Sequence, residues 1–322
     1  MKYKLILSFF LLLSITFKTL AQQELQVSHN MFNQLEVNPA YAGANGEVCA
    51  TVIHRDQWMG FPGHPTTNII SLDAPVLKHF GAGINIVSDK LGLENNTIAR
   101  LNLAYRHKLG DGNLGIGIAA DFLNKVIDFS KFNPAQVPGE GTDKTLSSKS
   151  QEKNFMTDLT FGVFYKVPEK YYIGISTSQL LQTKTVLTPS TAAATKYDLM
   201  RHYYITGGYE FQLQSMPLKL VPSVFIKTDA SSTQFDINCL GIWNEKYWGG
   251  LSYRLQDAIS ILIGGKPFTQ GKMSPLSIGL AYDITTSAMR VASSGSLEIM
   301  LGYCFKISTP TKVESYRNVK YL

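Results

Sequence analysis

A chain of 322 residues has room for one or two domains of ordinary size, or for one large barrel. Charged residues are only 17% of it, against about a quarter in an average soluble domain, while apolar residues are 44% and aromatics 11%. Intrinsic disorder is excluded, and no window after residue 21 holds the roughly 18–20 uninterrupted apolar residues of a spanning helix, which leaves a β protein with one wet and one apolar side.

At the N-terminus, Lys2 and Lys4 precede a mostly apolar run from Leu5 to Phe17, and small residues lead to Ala21. This is the pattern of an export signal over residues 1–21. The run is too short for an anchor, no Cys follows Ala21 to take a lipid, and the mature chain is expected to begin at Gln22. The signal carries three lysines and no acid, so its removal lowers the formal charge from +6 to +3. A nucleic-acid partner is therefore not indicated.

Residues 22–45 show no strand pattern. The stretch Val27–Gly46, VSHNMFNQLEVNPAYAGANG, mixes Asn/Pro/Gly turn chemistry with Met31, Phe32, Leu35 and Tyr41. Apolar side chains of this kind need a packing site. The segment is expected to be a plug inside a barrel, with a hatch or partner-docking element as the alternative. Next comes HRDQWMGFPG, residues 54–63, which puts Trp58, Met59 and Phe61 in one loop. These suit an aromatic girdle at a membrane edge or a rim that grips a protein, with Arg55, Gln57, Trp58 and Phe61 as contacts.

From residue 46 to 307 the dominant period is two, which sends alternate side chains to opposite faces of a strand. Leu101, Leu103 and Tyr105 oppose Arg100, Asn102, Ala104 and Arg106, and Leu114, Ile116, Ile118 and Phe122 oppose Gly115, Gly117, Ala119 and Asp121. Leu276, Ile278, Leu280, Tyr282 and Ile284 oppose Ser277, Gly279, Ala281 and Asp283, and Leu297, Ile299 and Leu301 oppose Ser296, Glu298 and Met300. About fourteen such strands begin near residues 47, 66, 80, 97, 113, 154, 171, 201, 218, 234, 247, 258, 275 and 295. Long connections at 55–65, 130–153 and 182–199 alternate with tight ones at 110–112, 168–170, 215–217 and 244–246, with 267–274 as the exception. Membrane barrels have this asymmetry of short turns and long loops. The mixed row is rich in Gly, Ala, Ser, Thr and Asn with isolated charges, which fits a crowded lumen better than the Lys/Glu-rich outer face of a soluble sandwich. Arg100, Arg106, Asp121, Arg254, Asp283 and Glu298 are expected to form a charge network there, because buried charges need pairing. Residues 308–322 are left as a periplasmic C-terminal tail.

Cys49, Cys239 and Cys304 are too few and too scattered for a disulfide framework and are expected to be small residues within strands. Enzyme signatures fail. Gly264-Gly265-Lys266 lacks the spacing and hydroxyl of a P-loop, Gly81-Ala82-Gly83 lacks a third glycine, and the six histidines show no metal-ligand spacing. No catalytic residue, metal or cofactor is expected.

NMFN followed by NPAYAG, the loop Arg55–Phe61, Asp73-Ala74-Pro75, the strand Trp248–Arg254, Tyr282-Asp283 and the closing Gly295–Leu301 together resemble the PorP/SprF family of outer-membrane proteins of the type IX secretion system in Bacteroidota. The resemblance extends from about Gln23 to the C-terminus. It implies an all-β fold: a transmembrane antiparallel β-barrel of about 14 strands, similar to the long-chain fatty-acid transporter fold, whose N-terminal hatch also has an Asn-Pro-Ala element. Asn38, Pro39, Ala40, Tyr41 and Gly43 are then expected to hold the plug. It also implies an outer-membrane location, a role in export or cell-surface anchoring of proteins with C-terminal sorting domains, a link to gliding motility, and lipoprotein partners within the secretion system. His29, Glu36 and the long loop after the fifth strand depart from the pattern. The alternative is an outer-membrane transporter of hydrophobic small molecules, for which Pro222 would mark a strand kink.

Overall fold

A computed structural model describes residues 25–129, 151–187, 195–268, 271 and 275–306. The export signal, most of the loop from Ser130 to Lys153 and the tail from residue 308 lie outside the described residues. The strands are β1 (Val48–Asp56), β2 (Thr66–Leu77), β3 (Phe80–Leu91), β4 (Glu94–Leu109), β5 (Gly112–Asp128), β6 (Gln151–Val167), β7 (Tyr171–Ser178), β8 (Lys184–Leu187) and β9 (Thr195–Asp198). They continue with β10 (His202–Tyr209), β11 (Phe211–Gln212), β12 (Leu218–Thr228), β13 (Thr233–Trp243), β14 (Tyr247–Arg254), β15 (Ala258–Gly265), β16 (Leu276–Thr285) and β17 (Ser296–Phe305).

Each long strand pairs antiparallel with its neighbours, β1 pairs with β17, and β10 pairs with β12, so fourteen strands close into a barrel without an edge. The short β8 and β9 form a separate hairpin, and β11 adds two residues beside β12. Short turns follow β2, β4, β6 and β13, whereas the connections after β1, β5 and β7 are long. The barrel thus has a short-turn end, where β1 begins, and a long-loop end.

The period-two rows sort by face, and the sorting is inverted relative to a soluble protein. Ile237, Leu251 and Ile263 are each more than half exposed, yet their neighbours Asn238, Ser252 and Leu262 are at most 1% exposed. An apolar exterior is what a hydrocarbon solvent demands, and closure of the sheet satisfies its backbone polar groups. The interior is mixed, with polar side chains beside an apolar cluster of Ile53, Ile69, Val87, Leu240, Trp248, Leu262 and Met300 against which Met31 and Phe32 pack. The β12–β13 register passes unbroken through Pro222. On the other side, β10 pairs only as far as Ser223 and β11 resumes at Leu220. Pro222 has no N–H to donate, so it interrupts one ladder and not both.

The cysteines correct the sequence expectation. Cys49 faces Cys304 across the β1–β17 pair, and the two are disulfide-bonded over a sequence separation of 255, while Cys239 is free. Closure of the barrel sets the first and last strands side by side, a proximity that chain distance hides. The Glu47 carboxylate lies beside both sulfurs, but sulfurs joined to each other offer no thiolate to a metal. Cys304→Ser is expected to lower stability by up to about 5 kcal/mol on chain-entropy grounds, read as a lower denaturant midpoint in detergent. An unchanged midpoint would mean that β1–β17 pairing holds the seam unaided.

Candidate functional site

Residues 25–46 run through the barrel from the long-loop end to the short-turn end. Three short 3-10 turns, Asn30–Phe32, Gln34–Glu36 and Pro39–Tyr41, keep the segment compact. The last has its cause in the sequence: the Asn38 side chain accepts a hydrogen bond from the Ala40 N–H (3.0 Å), and Pro39 at the first position has no N–H to leave unpaired. Gly43, at φ +68°, then turns the chain toward β1.

At the long-loop end the segment meets a buried ionic cluster. Arg55 Nη2 lies 2.6 Å from Asp283 Oδ2, and Arg55 Nη1 lies 3.1 Å from Glu298 Oε2. Arg254 reaches Asp236 (3.2 Å), Asp283 (3.4 Å) and Asp257 (3.4 Å). Ser28 and His29 dock into this cluster through their backbone N–H groups, which both donate to Glu298 at 2.8 Å. The His29 Nδ1 also lies 2.7 Å from Glu298, and the Ser28 hydroxyl bridges Arg55 and Asp283. The Gln57 amide donates to Gln26 Oε1 at 2.9 Å.

Deeper in the barrel, Arg100 pairs with Asp121 (2.6 Å) and donates to the Glu36 carbonyl, while Ser176 donates to the Val37 carbonyl (2.6 Å). The Asn38 amide donates to the Val163 carbonyl at 3.0 Å. Here the wall is cut back to backbone: a Cβ on Gly117 would overlap the Ala40 main chain, and one on Gly162 would overlap the Asn38 side chain. At the short-turn end, Asp73 accepts from the Gly43 N–H (2.8 Å), and Arg106 donates to the Gly43 and Ala44 carbonyls. Leu35 and Ala42 pack with Ala104 of β4 in a small apolar cluster, with Tyr41 at its edge.

The long-loop rim is built from two connections tied together. Met59 N–H donates to the Gly295 carbonyl (2.8 Å), Ser294 N–H donates to the Met59 carbonyl (2.5 Å), and Trp58 N–H donates to Ser296 Oγ (3.0 Å). Trp58 sits at φ +51°, an uncommon value for a bulky residue. Val291 is 90% exposed in the same connection that supplies Ser294. In the β12–β13 turn, outside the spanning strands, burial raises the pKa of Asp229. Hydrogen bonds from Ser232 N–H (2.6 Å) and Ser231 N–H (2.8 Å) outweigh it and hold the carboxyl below its ordinary range.

These positions revise the sequence expectations for several residues. Arg55 and Gln57, expected at the rim, point into the lumen at 1% and 6% exposure, because β1 runs on to Asp56 and alternation continues past Ile53. Trp58 and Phe61 are at the rim, half-buried. The six charges expected to form one network divide into three. Arg254, Asp283 and Glu298 belong to the long-loop cluster with Arg55, Arg100 pairs with Asp121, and Arg106 holds the segment's carbonyls. Ser28, His29, Asp73 and Asp236 were not among the expected site residues. For Asp236, continuing the inward row of β13 from Asn238 would have found it.

The model of the type IX secretion system membrane protein PorP/SprF family matches residues 19–303. Solved structures of similar fold include a Pseudomonas aeruginosa FadL homologue at 11% identity, covering 81% of this chain and 89% of that one with a TM-score of 0.44. The Ralstonia pickettii toluene transporter TbuX is similar at 14% identity, 84% and 92% coverage and a TM-score of 0.44. Acinetobacter baumannii Omp33 is similar at 6% identity, 81% and 99% coverage and a TM-score of 0.45. A search of curated proteins finds no match. Because the family match takes in the N-terminal segment and nearly all of the barrel, the chain belongs to the PorP/SprF family of type IX secretion system membrane proteins.

Proposed function

We propose that this protein works as a closed, non-catalytic outer-membrane component of type IX secretion. Its long-loop rim engages a secreted protein carrying a C-terminal sorting domain, and its short-turn end meets a lipoprotein of the same machinery. In this reading it supports export or surface anchoring of adhesins and enzymes, and motility where the cell glides. The observation that carries the reading is a lumen occupied along its length by residues 25–46 and locked by buried ion pairs. A barrel in that state suits a scaffold better than a conduit, and Trp58, Phe61 and Val291 supply rim surface of the kind that binds proteins.

The transporter of hydrophobic molecules is favoured by one observation, the ladder interruption at Pro222. The interior behind it is partly apolar, with Val221 and Phe225 on β12 and Leu240 and Trp248 beside them, but the N-terminal segment fills that space, the Phe32 ring lying 5.1 Å from that of Trp248, which opposes an open path. Deletion of the gene followed by quantitation of the surface and secreted proteomes tests the proposal. Loss of one or more proteins with C-terminal sorting domains is expected; unchanged proteomes with impaired uptake of an apolar solute would refute it.

A further inference from the structure

At the short-turn end the two faces of the wall finish on different chemistry. The outward row ends on Leu109 of β4, Tyr171 of β7, Tyr247 of β14 and Phe305 of β17, all exposed. Such a border suits a bilayer edge. The lumen row ends on cations instead: Lys108 within β4 and, one residue outside β14, β15 and β17, Lys246, Lys266 and Lys306. The Lys266 N–H donates to the Lys246 carbonyl at 2.8 Å, so the ladder and its alternation reach both. Alternation therefore turns these ammonium groups toward the mouth of the barrel and away from lipid.

The cations of this mouth divide by whether they are already engaged. On the side from β5 to β12, Lys170 lies 3.6 Å from Asp111, Lys219 lies 2.9 Å from Glu210, and Lys166 donates to Asn45 Oδ1 at 2.9 Å. On the side that runs from β14 through the β1–β17 seam to β4, Lys78, Lys108, Lys246, Lys266 and Lys306 are exposed and have no ion pair among the described residues. Among the described residues, Glu47 and Glu245 are the acids that share this side of the mouth, Asp73 being buried against the Gly43 N–H. The chain beyond β17, residues 307–322, has three basic side chains and one acidic one, so it does not supply the balancing charge.

We propose that this half of the short-turn mouth is a docking surface for the acidic face of a periplasmic protein seated across the end of the barrel. Lys246, Lys266 and Lys306 stand on the sector from β14 to β17, three strand spacings or about 15 Å wide. One acidic helix or loop covers that span, and a single small anion does not. Lipid headgroups are the poorer match, because the row that meets lipid ends on the apolar and aromatic border. Complementary charge of this kind sets partner choice and encounter rate more than raw affinity. The inference rests on the proposed function only for the placement of the short-turn end in the periplasm.

The test uses full-length protein in nanodiscs of zwitterionic lipid and a fluorescent glutamate-rich helical peptide, with its glutamine counterpart as reference. The glutamate peptide is expected to bind, more weakly as salt is added, and the glutamine peptide is not. The triple variant Lys246→Gln, Lys266→Gln, Lys306→Gln is expected to weaken binding at least about fivefold. The variant Lys90→Gln, Lys153→Gln, Lys184→Gln removes the same charge from exposed positions at the long-loop end and is expected to change it less than about twofold. In intact cells, a photo-crosslinking residue in place of Lys266 is expected to capture a protein through a segment richer in Asp and Glu than in Lys and Arg. Equal effects of the two triple variants, no binding of the glutamate peptide, or capture through a neutral or basic segment would overturn the proposal. Phosphatidylglycerol retained by the unmodified protein and lost from the short-turn variant would assign these lysines to lipid and overturn it as well. If gene deletion leaves the proteomes unchanged while these binding results hold, the secretion role falls and the docking surface stands.

Discussion

Replacing Arg55 by Met is expected to destabilise the barrel by about 3–5 kcal/mol, because it strips one cation from a site where Asp283 and Glu298 are 1% and 0% exposed. Arg254 remains in reach of Asp283, and His29 of Glu298. Neither replaces a guanidinium that bonds both carboxylates and the Ser28 hydroxyl at once. The denaturant midpoint of the folded, heat-modifiable band measures the loss. The double variant Arg55→Met, Glu298→Gln is expected to recover part of it, since removing both charges leaves less uncompensated burial than removing one. If Arg55→Met unfolds at the wild-type midpoint, the cluster is not a lock.

A bulky residue at Gly117 is expected to have a different effect. In Gly117→Leu the new side chain must occupy the position of the Ala40 backbone, which cannot give way as a flexible side chain would. Overpacking of this kind costs typically about 1–3 kcal/mol, and expelling Asn38–Tyr41 from the wall relieves it. The barrel is expected to form with its β4–β6 pairing intact while residues 25–46 become open to protease. Protease resistance of that segment equal to wild type would show that the wall glycines do not set its position.

The wall of the barrel was legible because lipid imposes a period of two. The expected starts of β2, β3, β7, β12, β14 and β15 coincide with Thr66, Phe80, Tyr171, Leu218, Tyr247 and Ala258. β4 and β6 begin three residues earlier than expected, at Glu94 and Gln151. These first residues, Glu94-Asn95-Asn96 and Gln151-Glu152-Lys153, are polar, so the strands extend past the apolar band where hydropathy alternation stops signalling them. What alternation cannot convey is register between strands distant in the chain. The Cys49–Cys304 bond was missed for that reason, as was the meeting of Arg55 with Asp283 and Glu298, which closure alone brings together. Residues 25–46 lack any period, and their path rests on single matches between a turn and the wall, such as Asn38 to the Val163 carbonyl.

Single-channel conductance of the purified protein in a planar lipid bilayer tests most directly whether the lumen is occupied. With Leu25 to Gly46 in place, no steady current is expected, and openings are expected only in the Arg55 and Gly117 variants. A persistent open-pore current from the unmodified protein would contradict an occupied, locked barrel.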